Sequence, residues 1–379
     1  MTAVIAGGYE VPYRRHATGT STSKVLAQAV LGAVDAVGVP LDAVDGFGVS
    51  SFLLQPDHAI DLAWRMGLRP RWLMQDPHGG ASGVNMLQHA LRAVEHGDAD
   101  YIVLVAGDHF GPSDFATLTD NYNRAMRDHL APLRFGGPNA LFAMLTQRHM
   151  RATGLTIGDY AQIPVAQRHW ASLNPKAVYR TPLTVEDHRE APVVFDPLCR
   201  YDCVPVVTGA DAIVVVRAGR TQALPPVRVL ALDSAHNADQ QNGDGLHTGH
   251  TEIRERLWND AGVGPEDLDL AMVYDDYPVM VLAQLADLGC IPDGDLHRFL
   301  HQRLAVDRWP LNTSGGQLSA GQAGAGGGLH FLVEAVTQLQ HGAGERQVHG
   351  ARHALVTGYG MVLYRYGACA NAVVLEATR

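Results

Sequence analysis

With 379 residues, 46% of them hydrophobic and 18% charged, the chain can build one large core or two domains that share one. A formal charge of −10 with 29 scattered Lys and Arg excludes the basic footprint of a nucleic-acid binder. No run approaches the roughly 18 consecutive apolar residues of a membrane span, the N-terminus lacks signal-peptide regions, and Cys199, Cys203, Cys290 and Cys369 form no CxxC pair; the expectation is a cytoplasmic enzyme with reduced, mostly buried thiols and no zinc site.

Apolar spacing predicts a helix over Lys24 to Val37. The small-residue stretch GGASG (Gly79 to Gly83) then opens a second helix containing LQHALRAVEHG (Leu87 to Gly97), and the run YIVLVAG (Tyr101 to Gly107) reads as a buried strand. From about Gly111 to Pro197 the text is irregular and rich in Arg, His, Pro and Asn, which suits an insertion of loops and helices over a binding site. AIVVV (Ala212 to Val216), VRVLAL (Val227 to Leu232) and LAMVY (Leu270 to Tyr274) read as strands, and Pro278 to Leu288 as a helix. AGAGGG (Ala323 to Gly328), LVEAVTQLQHG (Leu332 to Gly342) and HALVTGYG (His353 to Gly360) then repeat the earlier order of glycine turn, helix and strand. Two copies of one unit imply two similar halves of mixed α/β layers, 1–220 with the insertion 111–197, and 221–379.

Four further segments carry a resemblance: LNPKAVYRTPLTVED (Leu173 to Asp187), DPLCRYDCVPVVTGAD (Asp196 to Asp211), VYDDYPVMVLAQLADLG (Val273 to Gly289) and LNTSGGQLSAGQAGAGGG (Leu311 to Gly328). With them the chain resembles the sterol-carrier-protein-x and lipid-transfer-protein type of thiolase. The resemblance implies a thiolase fold: α/β, two similar mixed-sheet halves in a five-layered arrangement with an inserted loop region. Asn312, Gly315, Gly316, Ser319 and Gly321 fall where such thiolases have an asparagine, paired glycines, a small residue and a following glycine.

The departures concern the chemistry. Gly80 stands where the nucleophilic cysteine would open the first repeated helix, with Ser82 nearby, so no thiolate can form there. Gln322 stands where a Gly-His-Pro motif supplies the activating histidine, and glutamine cannot accept a proton at neutral pH. Tyr274 begins YDDYP where relatives have a His- or Asn-led motif that helps bind an oxyanion, and Tyr359 or Tyr364 replaces the remaining thiolase cysteine.

An aldol cleavage needs a base for a β-hydroxyl and a donor for the departing enolate, but no acyl-enzyme. Some lipid-transfer-type relatives without the cysteine are retro-aldolases for CoA esters, and this chain looks like them. Tyr274 with Tyr359 or Tyr364 are the candidate acid and base, and His78 and His109, each next to a repeated element, are the alternatives. Gly80, Ser82, Asn312, Gly316 and Gln322 are the candidate substrate-binding positions. Two other readings stand beside the aldolase: a C-acyltransferase or Claisen-type enzyme that uses Ser82 or a histidine-activated acceptor, and a non-catalytic acyl-CoA-binding subunit. The resemblance also implies a homodimer, a small zinc-ribbon and OB-fold partner subunit, and no covalently bound cofactor, with CoA arriving as part of the substrate.

Overall fold

The computed structural model describes residues 2–54, 58–121, 123–133, 137–221, 223–238, 243–363 and 366–378. Nine strands form one mixed sheet: β1 (Ala3–Arg14), β2 (Gly46–Ser50), β3 (Trp72–Gln75), β4 (Tyr101–Asp108), β5 (Thr208–Arg217), β6 (Val227–His236), β7 (Leu270–Met272), β8 (His353–Leu363) and β9 (Tyr366–Ala377), in the order β3-β2-β4-β5-β1-β6-β9-β8-β7. β1 and β6 pair only at Ile5 and Val227, so the sheet divides there into two half-sheets.

The half-sheets repeat one pattern. In the first, β2 is parallel to β4, β4 antiparallel to β5, and β5 antiparallel to β1. In the second, β7 is parallel to β8, β8 antiparallel to β9, and β9 antiparallel to β6. This is the duplication that the glycine-helix-strand units announce.

Alternation along the strands separates the layers. On β4, Val103 and Val105 pack outward with Val25, Leu26, Ala29, Val30 and Ala33 of α1 (Thr22–Ala36), whereas Ile102, Leu104 and Ala106 turn inward. The Ser21 side chain starts α1 by accepting the Lys24 amide at 3.3 Å. Inside lie the repeated helices α2 (Ser82–His96) and, near the C-terminus, Gly327–Leu339, the latter buried on nearly every side. His250–Ala261 and Pro278–Asp287 pack beyond the second half-sheet. Helix, sheet, paired helices, sheet and helix make the five layers. Among the described residues no helix is long and apolar enough to cross a membrane.

The glycine turns exist because the paired helices meet at their starts. A Cβ on Gly83 would lie 2.7 Å from the Gly328 carbonyl oxygen, and one on Gly328 would lie 2.2 Å from that of Gly80. Asp108 stitches the halves together from the end of β4, accepting the amides of Leu53 at 2.9 Å, Phe52 at 3.1 Å and, from the second half, Ala325 at 2.9 Å. Gly324 leaves the room for that carboxylate, since its Cβ would meet Asp108 Oδ2 at 2.1 Å.

The insertion is mainly helical, with Pro112–Asn121, Pro138–Thr153 and Gln162–Leu173 as its longer segments. It closes over the second half through Tyr277, whose hydroxyl donates to Asn139 Oδ1 at 2.6 Å and whose ring stacks on Phe142 at 4.3 Å.

Candidate active site

Gly80 lies in a single helical turn, Gly79–Ala81, that leads directly into α2. A Cβ placed on it would fall 2.1 Å from Tyr274 Cζ, 2.2 Å from Tyr274 Cε2 and 2.4 Å from the Tyr359 carbonyl oxygen. The Tyr274 ring therefore fills the space that a side chain at position 80 would need.

Several neighbours fix that ring. Val273, just before it, is clamped by Asn312: Oδ1 accepts the Val273 amide at 2.7 Å and Nδ2 donates to the Val273 carbonyl at 2.9 Å. Asn312 adopts φ 49°, a left-handed conformation that asparagine tolerates. The Tyr274 amide donates to Thr357 Oγ1 at 3.0 Å, and its carbonyl accepts Gln284 Nε2 at 2.7 Å. Phe331 meets the ring edge-on at 6.1 Å. At the other end Gln322 Nε2 donates to the phenol oxygen at 3.0 Å. Gln322 is itself held by backbone pairing, its amide donating to the Pro205 carbonyl and its carbonyl accepting the Val207 amide.

These groups border a cavity of about 120 Å³. Gly80, Tyr274, Gln322, Gly324, Tyr359 and Gly360 form its floor, and Asp276, Tyr277, Cys203 and Val204 one side. Phe52 and Phe110, with Phe115, Leu118 and Phe142 from the insertion, give it an apolar wall. No Lys or Arg lines it among the described residues. The Tyr359 hydroxyl accepts the Gly367 amide, so its ring is anchored to β9.

Of the positions singled out in the sequence, Gly80, Tyr274, Gln322 and Tyr359 come together at this cavity, and the other described ones do not line it. Ser82 is fully buried and donates to Asp76 Oδ1 at 2.6 Å. His78 Nδ1 lies 3.0 Å from the same oxygen, and that contact raises the imidazole's pKa. Burial pushes Asp76 up, yet His78 and Ser82 together hold it below the usual carboxylate range. Ser82 thus hydrogen-bonds to a carboxylate and faces no open space. His109 Nδ1 lies 2.9 Å from Thr208 Oγ1, and its neighbour Phe110 reaches the cavity instead. Asn312 acts on Val273, and Gly316, with φ 61°, makes room for Asp275, whose Oδ2 lies 2.1 Å from where its Cβ would be. Tyr364 lies outside the described residues.

Two cavity residues are not among the candidate site positions of the sequence. Cys203 is a thiol on the wall rather than at a helix start, and burial, with Asp202 and Cys199 adding to it, pushes its pKa up to about 12. It stays protonated and is a poor nucleophile. Asp276 is the other: burial and then the charge of Asp275 push its pKa up to about 7.

Comparisons with known proteins point to one family. Residues 232–372 match the family described as thiolase C-terminal domain-like. The chain is 32% identical over 362 residues to a 17-hydroxy-3-oxo-4-pregnene-20-carboxyl-CoA lyase of Mycobacterium tuberculosis, covering 90% of this chain and 92% of that protein. It is 29% identical to a steroid side-chain-cleaving aldolase of Thermomonospora curvata, with 94% of each covered. A solved structure titled Ltp2-ChsH2(DUF35) aldolase superposes with a TM-score of 0.86 at 25% identity, covering 100% of this chain and 98% of that one.

Proposed function

Since the chain belongs to the thiolase superfamily, in its sterol-carrier-protein type branch, we propose that it is an aldolase of acyl-CoA thioesters. It cleaves, or in reverse forms, the bond between the α and β carbons of a β-hydroxyacyl-CoA without acyl transfer to the protein. The observation that carries this reading is the Tyr274 ring over Gly80: the place of a nucleophile is occupied by a phenol. In the cleavage, the β-hydroxyl loses its proton, its oxygen becomes a carbonyl, and the electron pair of the broken bond enters the thioester as an enolate. The Tyr274 hydroxyl, polarised by Gln322, donates to that enolate oxygen, and Tyr359 borders the same space. The phenylalanine-rich wall suits a bulky apolar group on the β carbon, and the names of the two aligned relatives, a steroid-CoA lyase and a steroid aldolase, point the same way.

Among the described residues acyl transfer lacks a nucleophile in this cavity, because Ser82 is bound to Asp76 and Cys203 stays protonated. CoA enters as part of the substrate, in the cytoplasm, and no covalent cofactor is required. With no Lys or Arg on the cavity wall among the described residues, a second subunit supplies part of the phosphate site, as the two-component title of the solved aldolase suggests. A homodimer is supported by the outer sheet edge, where β3 presents Leu73 beside Trp64 and Ile60, 76% and 62% exposed.

The test is incubation with 17-hydroxy-3-oxo-4-pregnene-20-carboxyl-CoA, alone and with a candidate partner subunit, followed by product analysis and intact-mass measurement. A ketone and a shortened acyl-CoA, an unmodified protein mass, and loss of turnover in Tyr274→Phe are expected. An acyl adduct on the protein, or no ketone from this or smaller β-hydroxyacyl-CoA esters, rejects the aldolase reading.

A further inference from the structure

The aldol chemistry leaves one proton unassigned, that of the β-hydroxyl. We infer that Asp276 is the catalytic group that takes it, because its carboxylate lines the cavity with Tyr274 and carries a buried oxygen with no hydrogen-bond donor among the described residues. This inference rests on the aldolase reading.

The two adjacent aspartates are in opposite situations. Asp275 is consumed by the fold: Oδ1 accepts the Gln317 amide at 2.9 Å and Gln317 Nε2 at 3.4 Å, and Oδ2 accepts the Leu318 amide at 3.4 Å. Gly316 is shaped around it. Asp276, one residue on, turns the other way and borders the cavity. Its Oδ1 is buried and accepts nothing among the described residues. The hydroxyl of the adjacent Tyr277 is already engaged, donating to Asn139. A buried acceptor left unpaired has lost its hydration with nothing in return, so such atoms are rare unless a ligand completes them. A substrate hydroxyl is the donor that fits this one.

The surroundings also set its readiness. The titratable groups around it are Asp275, Tyr274 and Tyr277 on its own segment and Cys203 and Tyr359, which line the same cavity; the insertion contributes the uncharged Asn139, and no cation lines the space among the described residues. Burial first and Asp275 second push Asp276 up to about 7, with its own amide and that of Tyr277 offsetting only part. A carboxylate so placed is ionised in half or more of the molecules slightly above neutrality and is a far stronger base than an ordinary one. The step balances: Asp276 takes the hydroxyl proton, the α–β bond breaks, the β carbon becomes a ketone or aldehyde, and the electron pair forms the thioester enolate. The same proton can then be returned to the α carbon.

The experiment compares wild type, Asp276→Asn and Asp276→Glu with the steroid thioester above, measuring kcat and KM across pH together with melting temperature. Asp276→Asn should lose about 10²- to 10⁴-fold in kcat with KM unchanged. It should also lose the near-neutral limb of the pH profile and melt no lower than wild type at pH 8, whereas Asp276→Glu should recover part of the rate. Full activity in Asp276→Asn overturns the assignment and leaves the aldolase reading intact. A fall in rate that comes with lost thioester binding or a collapsed melting temperature makes Asp276 structural and also overturns it. Absence of cleavage in wild type rejects both inferences together.

Discussion

Gly80→Ala is the smallest change that tests whether Tyr274 has taken over the nucleophile's place. The added methyl would start 2.1 and 2.2 Å from two ring carbons and 2.4 Å from a backbone oxygen, where carbon contacts normally settle near 3.5–4.0 Å. The ring would have to move by more than 1 Å, yet Asn312, Thr357 and Gln284 hold its backbone, and the Tyr359 carbonyl belongs to a paired strand. The cost lies at the upper end of overpacking, about 3 kcal/mol. For 379 residues the unfolding entropy is about 0.8 kcal/mol/K, so the melting temperature should fall by roughly 4 °C. Tyr274→Ala removes the ring but not the carbonyl, so adding Gly80→Ala in that background should cost clearly less, a coupling that a double-mutant cycle reads directly. Calorimetry on the four proteins decides it, with cleavage activity as the second readout: Gly80→Ala should lose turnover because the phenol is displaced. Wild-type melting and wild-type rate in Gly80→Ala, or strict additivity in the cycle, would refute the packing argument.

Removing the amide that donates to the phenol, in Gln322→Ala, should lower kcat by roughly tenfold, the value of one hydrogen bond of about 1–1.5 kcal/mol, without changing the protein's mass after incubation with substrate. Cys203→Ala should keep kcat, and the native thiol should alkylate slowly at pH 8, since burial holds it protonated to about 12; loss of turnover in this variant would revive acyl transfer. His330 is buried between Glu10 at 3.4 Å and Asp211 at 3.7 Å. Burial pushes its pKa down, but the two carboxylates more than reverse this and raise it to about 10. A raised folded pKa stabilises fully below the unfolded value near 6.5, and the contribution is lost as pH climbs through about 10. His330→Leu should therefore cost about 3–5 kcal/mol at pH 7 by stranding two buried carboxylates, and less at pH 10, as measured by urea denaturation.

The fold was legible where its signals are local. A glycine turn, a helix-period apolar stripe and a short apolar strand each occupy a few residues, and their recurrence exposed the two halves before any contact was known. What the periodicity did not reveal is why the turns are glycine: Gly83 and Gly328 face carbonyls of the other repeat, a relation across the whole chain. The insertion was read only as a cover. Its helices bring Phe115, Leu118 and Phe142 to one wall, and nothing in the spacing of those residues distinguishes a cavity wall from an ordinary core. The histidines misled for a related reason. His109 ends a repeated strand, but adjacent residues at such a position face different ways, and it is Phe110 that reaches the cavity.

At the site, the sequence gives residue types and withholds pairings. Gly80 alone reads as the loss of a nucleophile, and Tyr274 alone as a strand-end aromatic with a packing role. Together they describe one exchange, since the ring fits only over a residue without a Cβ, and the missing Cβ would leave a hole without the ring. Asp275 and Asp276 make the same point at a single peptide bond. Their adjacent numbers suggest different directions but not which one meets the cavity; Gly316 makes room for Asp275, and Asp276 lines the cavity. Random loss of a catalytic cysteine would leave an empty pocket or a collapsed one. An aromatic ring seated in the gap, an amide aimed at its hydroxyl and, beside it, a carboxylate oxygen without a donor among the described residues are the set that the proposed aldol reaction would use.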